Sequence, residues 1–226
     1  MIDVKELTLT YPSGKGVFDL NFSVKKGEVM GYLGPNGAGK TTTIRALLGF
    51  MPPNSGTCSI GGLDCTNSAP EIQKTLGYIP GEIAFLDGMN GDEFLKFMND
   101  MRGTKDLSRQ NRLIEMFELD PKGPIKKFSK GMKQKLGIVA AFMHDPDVLI
   151  LDEPTSGLDP LMQNRFVELA TEEKKKGKTI LMSSHMFEEV ERTCDNVLII
   201  KDGRIVDQSD VVLLLTFYPH PIRELK

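Results

Sequence analysis

Val29-Met30-Gly31-Tyr32-Leu33-Gly34-Pro35-Asn36-Gly37-Ala38-Gly39-Lys40-Thr41-Thr42 is the stretch that decides the architecture. Its first five residues read as a buried strand, and Gly49 with Pro52-Pro53 stops the helix that follows. Between strand and helix, Gly34 to Thr41 matches G-x-x-x-x-G-K-[ST], the pattern of a loop that cradles phosphates. Gly34, Gly37 and Gly39 let consecutive backbone N–H groups converge on an anion, which side chains at those positions would obstruct. The expected contact set is therefore Gly34, Pro35, Asn36, Gly37, Ala38, Gly39, Lys40, Thr41 and Thr42. Lys40 would reach the β and γ phosphates and Thr41 would place its hydroxyl on Mg²⁺. Thr42 would sit near the α phosphate, at the positive end of the helix dipole.

A second stretch, Val148-Leu149-Ile150-Leu151-Asp152-Glu153, is an apolar strand ending in two carboxylates. The C-terminal ends of strands are where open α/β sheets bind ligands. Asp152 is expected to hold Mg²⁺, and Glu153 to polarise a water for in-line attack on the γ phosphate.

Outward from these two stretches the pattern changes. Leu7 and Leu9, then Leu20, Phe22 and Val24, alternate with polar residues around Pro12-Ser13-Gly14, as antiparallel strands do. From Asn90 the reading is helical: Asn90 caps with Glu93 three residues on, and Phe94, Leu95, Phe97, Met98 and Met101 share one face. A second helix follows Ser108, and a third starts near Ser129. Thr179 to Met182 is a further short strand, separated from the carboxylate strand by a helix from about Leu161 to Lys176. Lys174-Lys175-Lys176 reads as a solvated helix end, and Asp202-Gly203 turns a last hairpin. The expected division is an antiparallel layer (1–27 and 54–80), a helical subdomain (about 88–141), a core (28–53 and 142–206) and a tail (207–226). Val211 to Tyr218 would suit a short packed helix or a dimer contact, ended by Pro219-His220-Pro221.

Composition narrows the function classes. The 226 residues carry a net charge of −3, so no global basic field draws nucleic acid to the chain. Cys58, Cys65 and Cys194 are an odd count without C-x-x-C spacing, which reads as reduced thiols of a cytosolic protein. The N-terminus lacks the pattern of a secretory signal, and the run Val211 to Leu215 is far short of the roughly 20 apolar residues of a membrane span. His144 and His220 are expected in structural or solvent roles.

Over residues 1 to 210 the chain resembles the nucleotide-binding domain of ATP-binding-cassette (ABC) transporters. Gly34 to Thr41 looks like its Walker A motif, Val148 to Asp152 with Glu153 like Walker B, and Ser156-Gly157-Leu158-Asp159 like the D-loop. His185 looks like the switch histidine, and Tyr11 stands where the family has the aromatic residue that stacks on adenine. Phe128-Ser129-Lys130-Gly131-Met132-Lys133-Gln134 is similar to the LSGGQ signature, departing from it at Phe128, Lys130 and Met132 but keeping Ser129 and Gly131. Ser129 is placed to cap a helix whose dipole can face an anion, and Gly131 to permit close approach. The resemblance implies that the anion is the γ phosphate of ATP on a facing subunit. It also adds Asp159 to the nucleotide contacts and His185 to the catalytic set of Lys40 and Glu153.

The fold implied is α/β: a P-loop NTPase (RecA-like) parallel sheet core with an N-terminal antiparallel β subdomain and an inserted α-helical subdomain. The implied function is an ATP-hydrolysing motor that closes head to tail with a second copy or a homologous cassette. It would drive a separate membrane permease, of drug-export type, from the cytoplasmic face of the cell membrane. The alternative is a soluble cassette ATPase acting on nucleic acid or ribosomes. One position departs further. After Leu76-Gly77-Tyr78-Ile79-Pro80 the family usually has a glutamine that contacts Mg²⁺ and the permease, and here Gly81 stands in its place with Glu82 next. Either Glu82 reaches the metal, which accepts oxygen ligands, or it is a solvated loop acid.

Overall fold

Strands buried on both faces are apolar along most of their length, and that requirement organises the molecule. A computed structural model describes residues 1–86 and 88–211. Two sheets form. β1 (Ile2–Thr10), β2 (Gly16–Val24), β4 (Ser55–Ile60) and β5 (Leu63–Asp64) make an antiparallel sheet in the order β2-β1-β4-β5. The second sheet has β3 (Val29–Leu33), β6 (Leu76–Ile79), β7 (Val148–Asp152), β8 (Thr179–Ser184), β9 (Asn196–Lys201) and β10 (Arg204–Asp210), in the order β10-β9-β3-β8-β7-β6. Its pairings are parallel except for the β9–β10 hairpin at the edge.

Alternate residues of the central strands serve two cores. Met30 and Tyr32 of β3, with Val148 and Ile150 of β7, pack towards α1 (Lys40–Leu47) and the antiparallel sheet. Val29, Leu33, Leu149 and Leu151 pack on the other side with α5 (Lys130–Phe142), α6 (Pro160–Lys175) and α7 (Phe187–Thr193). Burial on both faces disfavours polar groups without partners, which is why these strands read as near-continuous apolar runs.

Two boundaries and the exposure of one helix face differ from the sequence reading. The expected antiparallel layer over 54–80 ends early: α2 (Ala69–Thr75) intervenes, and β6 joins the second sheet in parallel with β7. The reason is packing on both faces, since Leu76 and Ile79 are fully buried and Gly77 admits the backbone of α5, where a Cβ would lie 2.3 Å from the Ala141 carbonyl oxygen. β10 continues to Asp210, past the expected start of the tail, because its backbone stays paired with β9. In α3 (Gly91–Arg102) the capping box of Asn90 and Glu93 forms, and Leu95 is buried, but Phe97 and Met101 are exposed. Val211 is buried, and the rest of the run to Tyr218, with Pro219-His220-Pro221, lies outside the described residues. Among the described residues no helix is long and apolar enough to cross a membrane, and the three cysteines are free and buried.

Two arginines seat the inserted helices on the core. Arg102, at the end of α3, donates to the carbonyls of Gln73 and Leu76 at 3.2 and 3.4 Å. Arg109, in α4 (Ser108–Met116), donates to the Phe142 carbonyl at 2.7 Å and pairs at 2.8 Å with Glu173, which is fully buried in α6. His144 lies between them with Nε2 3.1 Å from the Leu76 carbonyl oxygen. Burial, then the Arg102 charge, pulls its imidazole down to about 4. The unfolded chain takes up a proton near the ordinary histidine value and the folded chain refuses it until about pH 4, so stability is lost as pH falls through that window. Wild type should lose on the order of 2 kcal/mol from this group between pH 7 and 5. Unfolding curves at both pH values should show a smaller loss for His144→Asn; an equal loss in the two proteins would contradict the assignment.

Candidate functional site

β3 delivers the chain into the 34–39 loop, and two neighbours hold that loop tightly. A Cβ on Gly34 would lie 2.4 Å from the Ile200 carbonyl oxygen, so only glycine lets the loop leave the sheet so close to β9. The Ala38 carbonyl accepts from the Gly203 N–H at 2.9 Å, which ties the loop to the β9–β10 turn. Gly37 and Gly39 adopt positive φ of 81° and 114°, and Gly39 caps α1 without any side chain. The first N–H groups of α1 therefore face the cleft with no side-chain partner, the arrangement that binds anions. Lys40 is 6% exposed and its ammonium folds back onto the carbonyls of Gly34 and Pro35 at 2.6 and 3.3 Å.

The end of β7, which is separated from β3 by β8, meets this loop. Asp152 is fully buried; its Oδ2 accepts from the Thr41 hydroxyl at 2.8 Å and its Oδ1 from the Ser183 hydroxyl. No lysine or arginine among the described residues pairs with it. Glu153 sits at a positive φ of 50°, uncommon for a residue with a side chain. That turn brings its Oε1 to 3.4 Å from the Lys40 ammonium and its Oε2 to 2.6 Å from His185 Nδ1. Lys40, Glu153 and His185 thus form a chain of contacts across the mouth of the cleft.

The cleft measures about 310 Å³ and is lined by Pro35, Asn36, Gly37, Gly39, Lys40, Thr41, Thr42, Gly81, Glu82, Asp152 and Glu153. Gly34 and Ala38 are not in its lining. Gly81 passes so near Asp152 that a Cβ would lie 3.0 Å from Oδ2. Glu82 is exposed at the rim and its carboxylate makes no hydrogen bond or ion pair with a described residue. Tyr11 approaches through its hydroxyl, 3.5 Å from Thr42 Oγ1 and accepting from Arg45 at 3.1 Å. These bonds, the Thr42 one first, hold the phenol below its ordinary range.

The remaining expected contacts lie elsewhere in the chain. Ser129 is exposed and caps α5, accepting from the Met132 N–H at 3.2 Å. A Cβ on Gly131 would lie 2.8 Å from the Gly157 carbonyl oxygen, so the close approach it permits within the chain is that of the D-loop backbone. Asp159 spends its carboxylate capping α6, accepting from the Met162 N–H at 3.0 Å. Neither Ser129, Gly131 nor Asp159 lines the cleft. Three residues to which the sequence assigned no role matter here. Ser183 holds Asp152, Gln134 donates to the Pro154 carbonyl at 2.7 Å, and Lys130 donates to the Ser156 hydroxyl at 2.8 Å. The polar pair Ser183-Ser184 closing an apolar strand was the available signal for the first.

Residues 17–156 match the family model described as ABC transporter. The chain belongs to the ABC transporter family. Linearmycin resistance ATP-binding protein LnrL of Bacillus subtilis (strain 168) is 36% identical over 211 residues, covering 91% of this chain and 68% of that protein. Bacitracin transport ATP-binding protein BcrA of Bacillus licheniformis is 39% identical over 217 residues, covering 92% and 69%. A solved structure described as the ATP binding subunit of an ABC transporter superposes with a TM-score of 0.90 at 32% identity, covering 100% of this chain and 97% of that one. This ABC cassette binds and hydrolyses ATP, and its fold is the one expected: a phosphate-loop core beside an antiparallel sheet.

Proposed function

We propose that this ABC ATPase hydrolyses Mg·ATP with Glu153 as the group that takes the proton from the attacking water. The observation carrying the reading is the position of Glu153, held between the Lys40 ammonium at 3.4 Å and His185 at 2.6 Å beside a phosphate-sized cleft. Lys40 leaves the loop carbonyls to neutralise the β and γ phosphates, and the N–H groups of 34–42 receive the remaining oxygens. Glu153 accepts the water proton as the oxygen attacks the γ phosphorus in line, the bond to the β–γ bridging oxygen breaks and ADP leaves with its electron pair, while His185 holds the carboxylate and the γ phosphate in place. Tyr11 provides the platform for the base.

A dication fits the donor set. Asp152 is a buried carboxylate with two hydroxyl donors and no cationic partner among the described residues, and Thr41 adds a second hard oxygen. Thr41 and Asp152 would hold Mg²⁺, which supplies charge neutralisation on the phosphate oxygens. Glu82, on the same rim, takes the place of the usual glutamine, with Gly81 giving the loop room beside Asp152.

A second copy completes the site. The cleft is open on one side and the exposed Ser129 cap of α5 lies outside it, so the chain carries a half-site for a facing nucleotide together with Gly131 and Asp159. The partner of the motor is a membrane permease, which holds the cassette on the inner face of the membrane. A groove of about 780 Å³ suits that contact: Ile83, Phe85 and Leu86 offer an apolar floor, with Lys126, Lys127 and Lys133 at the edge. Export is the favoured direction because the relatives are named for antibiotic resistance and transport. Those names do not support the nucleic-acid or ribosome alternative.

Glu153→Gln should keep ATP affinity within about twofold and lose turnover by about 100-fold or more, because the amide keeps its shape and loses its basic oxygen. Equilibrium binding and phosphate release on one preparation read both, and near wild-type turnover would remove Glu153 from this role. Glu82→Ala should raise the Mg²⁺ concentration needed for half-maximal hydrolysis and uncouple it from transport in the reconstituted complex. An unchanged Mg²⁺ titration with full coupling would leave Glu82 a solvated acid.

A further inference from the structure

The catalytic pair is held by two loops that reach the cleft from different strands. Glu153 begins the loop after β7, and His185 follows the last residue of β8. A side chain outside both loops joins them. Glu189, in the first turns of α7, accepts through Oε1 from the Thr155 hydroxyl and through Oε2 from the Ser184 hydroxyl at 2.7 Å. Thr155 is two residues past Glu153, and Ser184 is the residue before His185. Both hydroxyl residues are buried, at 5% and 0% exposure, so water does not compete for these bonds.

The support behind Glu189 is rigid. A Cβ on Gly31 would lie 2.5 Å from Val190 Cγ1, which shows α7 seated directly on β3. Thr193 donates its hydroxyl to the Glu189 carbonyl at 2.6 Å, and Met186 N–H donates to Ser184 Oγ at 2.9 Å. The Glu189 carboxyl therefore projects from a fixed helix. Burial, and the like charge of Glu153, hold it above the ordinary carboxylate range. Glu189 does not line the cleft.

We propose that Glu189 is a positioning residue for hydrolysis, spanning Thr155 and Ser184 so that Glu153 and His185 meet at the mouth of the cleft. Its reach matters more than its charge. A carboxamide of the same length can accept from one hydroxyl and donate to the other, because hydroxyls serve either way. Aspartate keeps the charge but is one methylene short of spanning both loops. The proposal rests on Glu153 acting as the base, since a misplacement of about 1 Å at a reacting group costs about 100-fold in rate.

The test measures kcat, KM and direct ATP affinity for Glu189→Ala, Glu189→Asp and Glu189→Gln, with Glu153→Gln alongside. Glu189→Ala and Glu189→Asp should each lose about tenfold or more in kcat with ATP affinity within about twofold of wild type, and Glu189→Gln should stay within about threefold of wild type throughout. Thr155→Val removes one of the two bonds without touching α7. It should lose kcat in the same way and add little to the Glu189→Ala loss, and it carries the test if Glu189→Ala does not fold. Wild-type kcat in Glu189→Ala, full activity in Glu189→Asp with loss in Glu189→Gln, or a loss of ATP affinity matching the loss of kcat would each overturn the proposal. If Glu153→Gln still turns over, the reading of Glu153 itself fails; if it is inactive while Glu189→Ala is normal, only the positioning role fails.

Discussion

A buried carboxylate with two hydroxyl donors and no cation holds the core of this molecule together at its working end. Asp152 joins three elements at once: β7 carries it, Thr41 binds it from α1, and Ser183 binds it from β8. Burying an unpaired carboxylate is expensive, and two hydroxyl hydrogen bonds offset only part of that cost. In the proposed function a dication offsets the rest of that cost. The glycine loop brings Thr41 within reach, the apolar run of β7 delivers Asp152 to the C-terminal end of the strand, and Gly81 lets the neighbouring loop pass close to Oδ2.

The segment that follows Asp152 is gripped from two sides. Gln134 and Lys130, at the start of α5, hold Pro154 and Ser156, while Glu189 on α7 holds Thr155. Three consecutive residues beyond Glu153 thus report to two different helices. The Ser129 cap shares its helix with Gln134 and Lys130, so an anion seated on that cap would act directly on the loop that positions Glu153. Lys130, a departure from the family spelling, supplies one of those links, and the glycine that remains, Gly131, is required by the backbone of Gly157.

Much of this was legible in the sequence because local chemistry admits few alternatives. A glycine-rich run ending in Gly39-Lys40-Thr41 after an apolar strand has one good structural solution, as does an apolar strand ending in Asp152-Glu153. The Asn90–Glu93 capping box and the Asp202-Gly203 turn are equally local. What was not legible depends on partners distant in sequence. The four residues of β6 carry no mark of which sheet they enter; the backbone of α5 against Gly77 decides that. Phe97 and Met101 obey helical spacing yet lie exposed, since spacing predicts a face and not what covers it. The resemblance gives Asp159 a nucleotide contact on a facing subunit and says nothing of its cap on α6 within the chain. Ser183 and Glu189 act only through side chains more than 25 positions away or across a loop, which no local pattern records.

The central claim is that the Asp152 carboxylate, presented on Thr41, is the protein's anchor for the dication that accompanies ATP. Its direct measurement is the equilibrium affinity for ATP with excess chelator and again with Mg²⁺, in wild type and in Asp152→Asn. Asparagine keeps the shape at that position and removes the charge. The account predicts equal ATP affinity for the two proteins in chelator, a clear gain on adding Mg²⁺ for wild type, and little or none for Asp152→Asn. An equal gain in both proteins would contradict it.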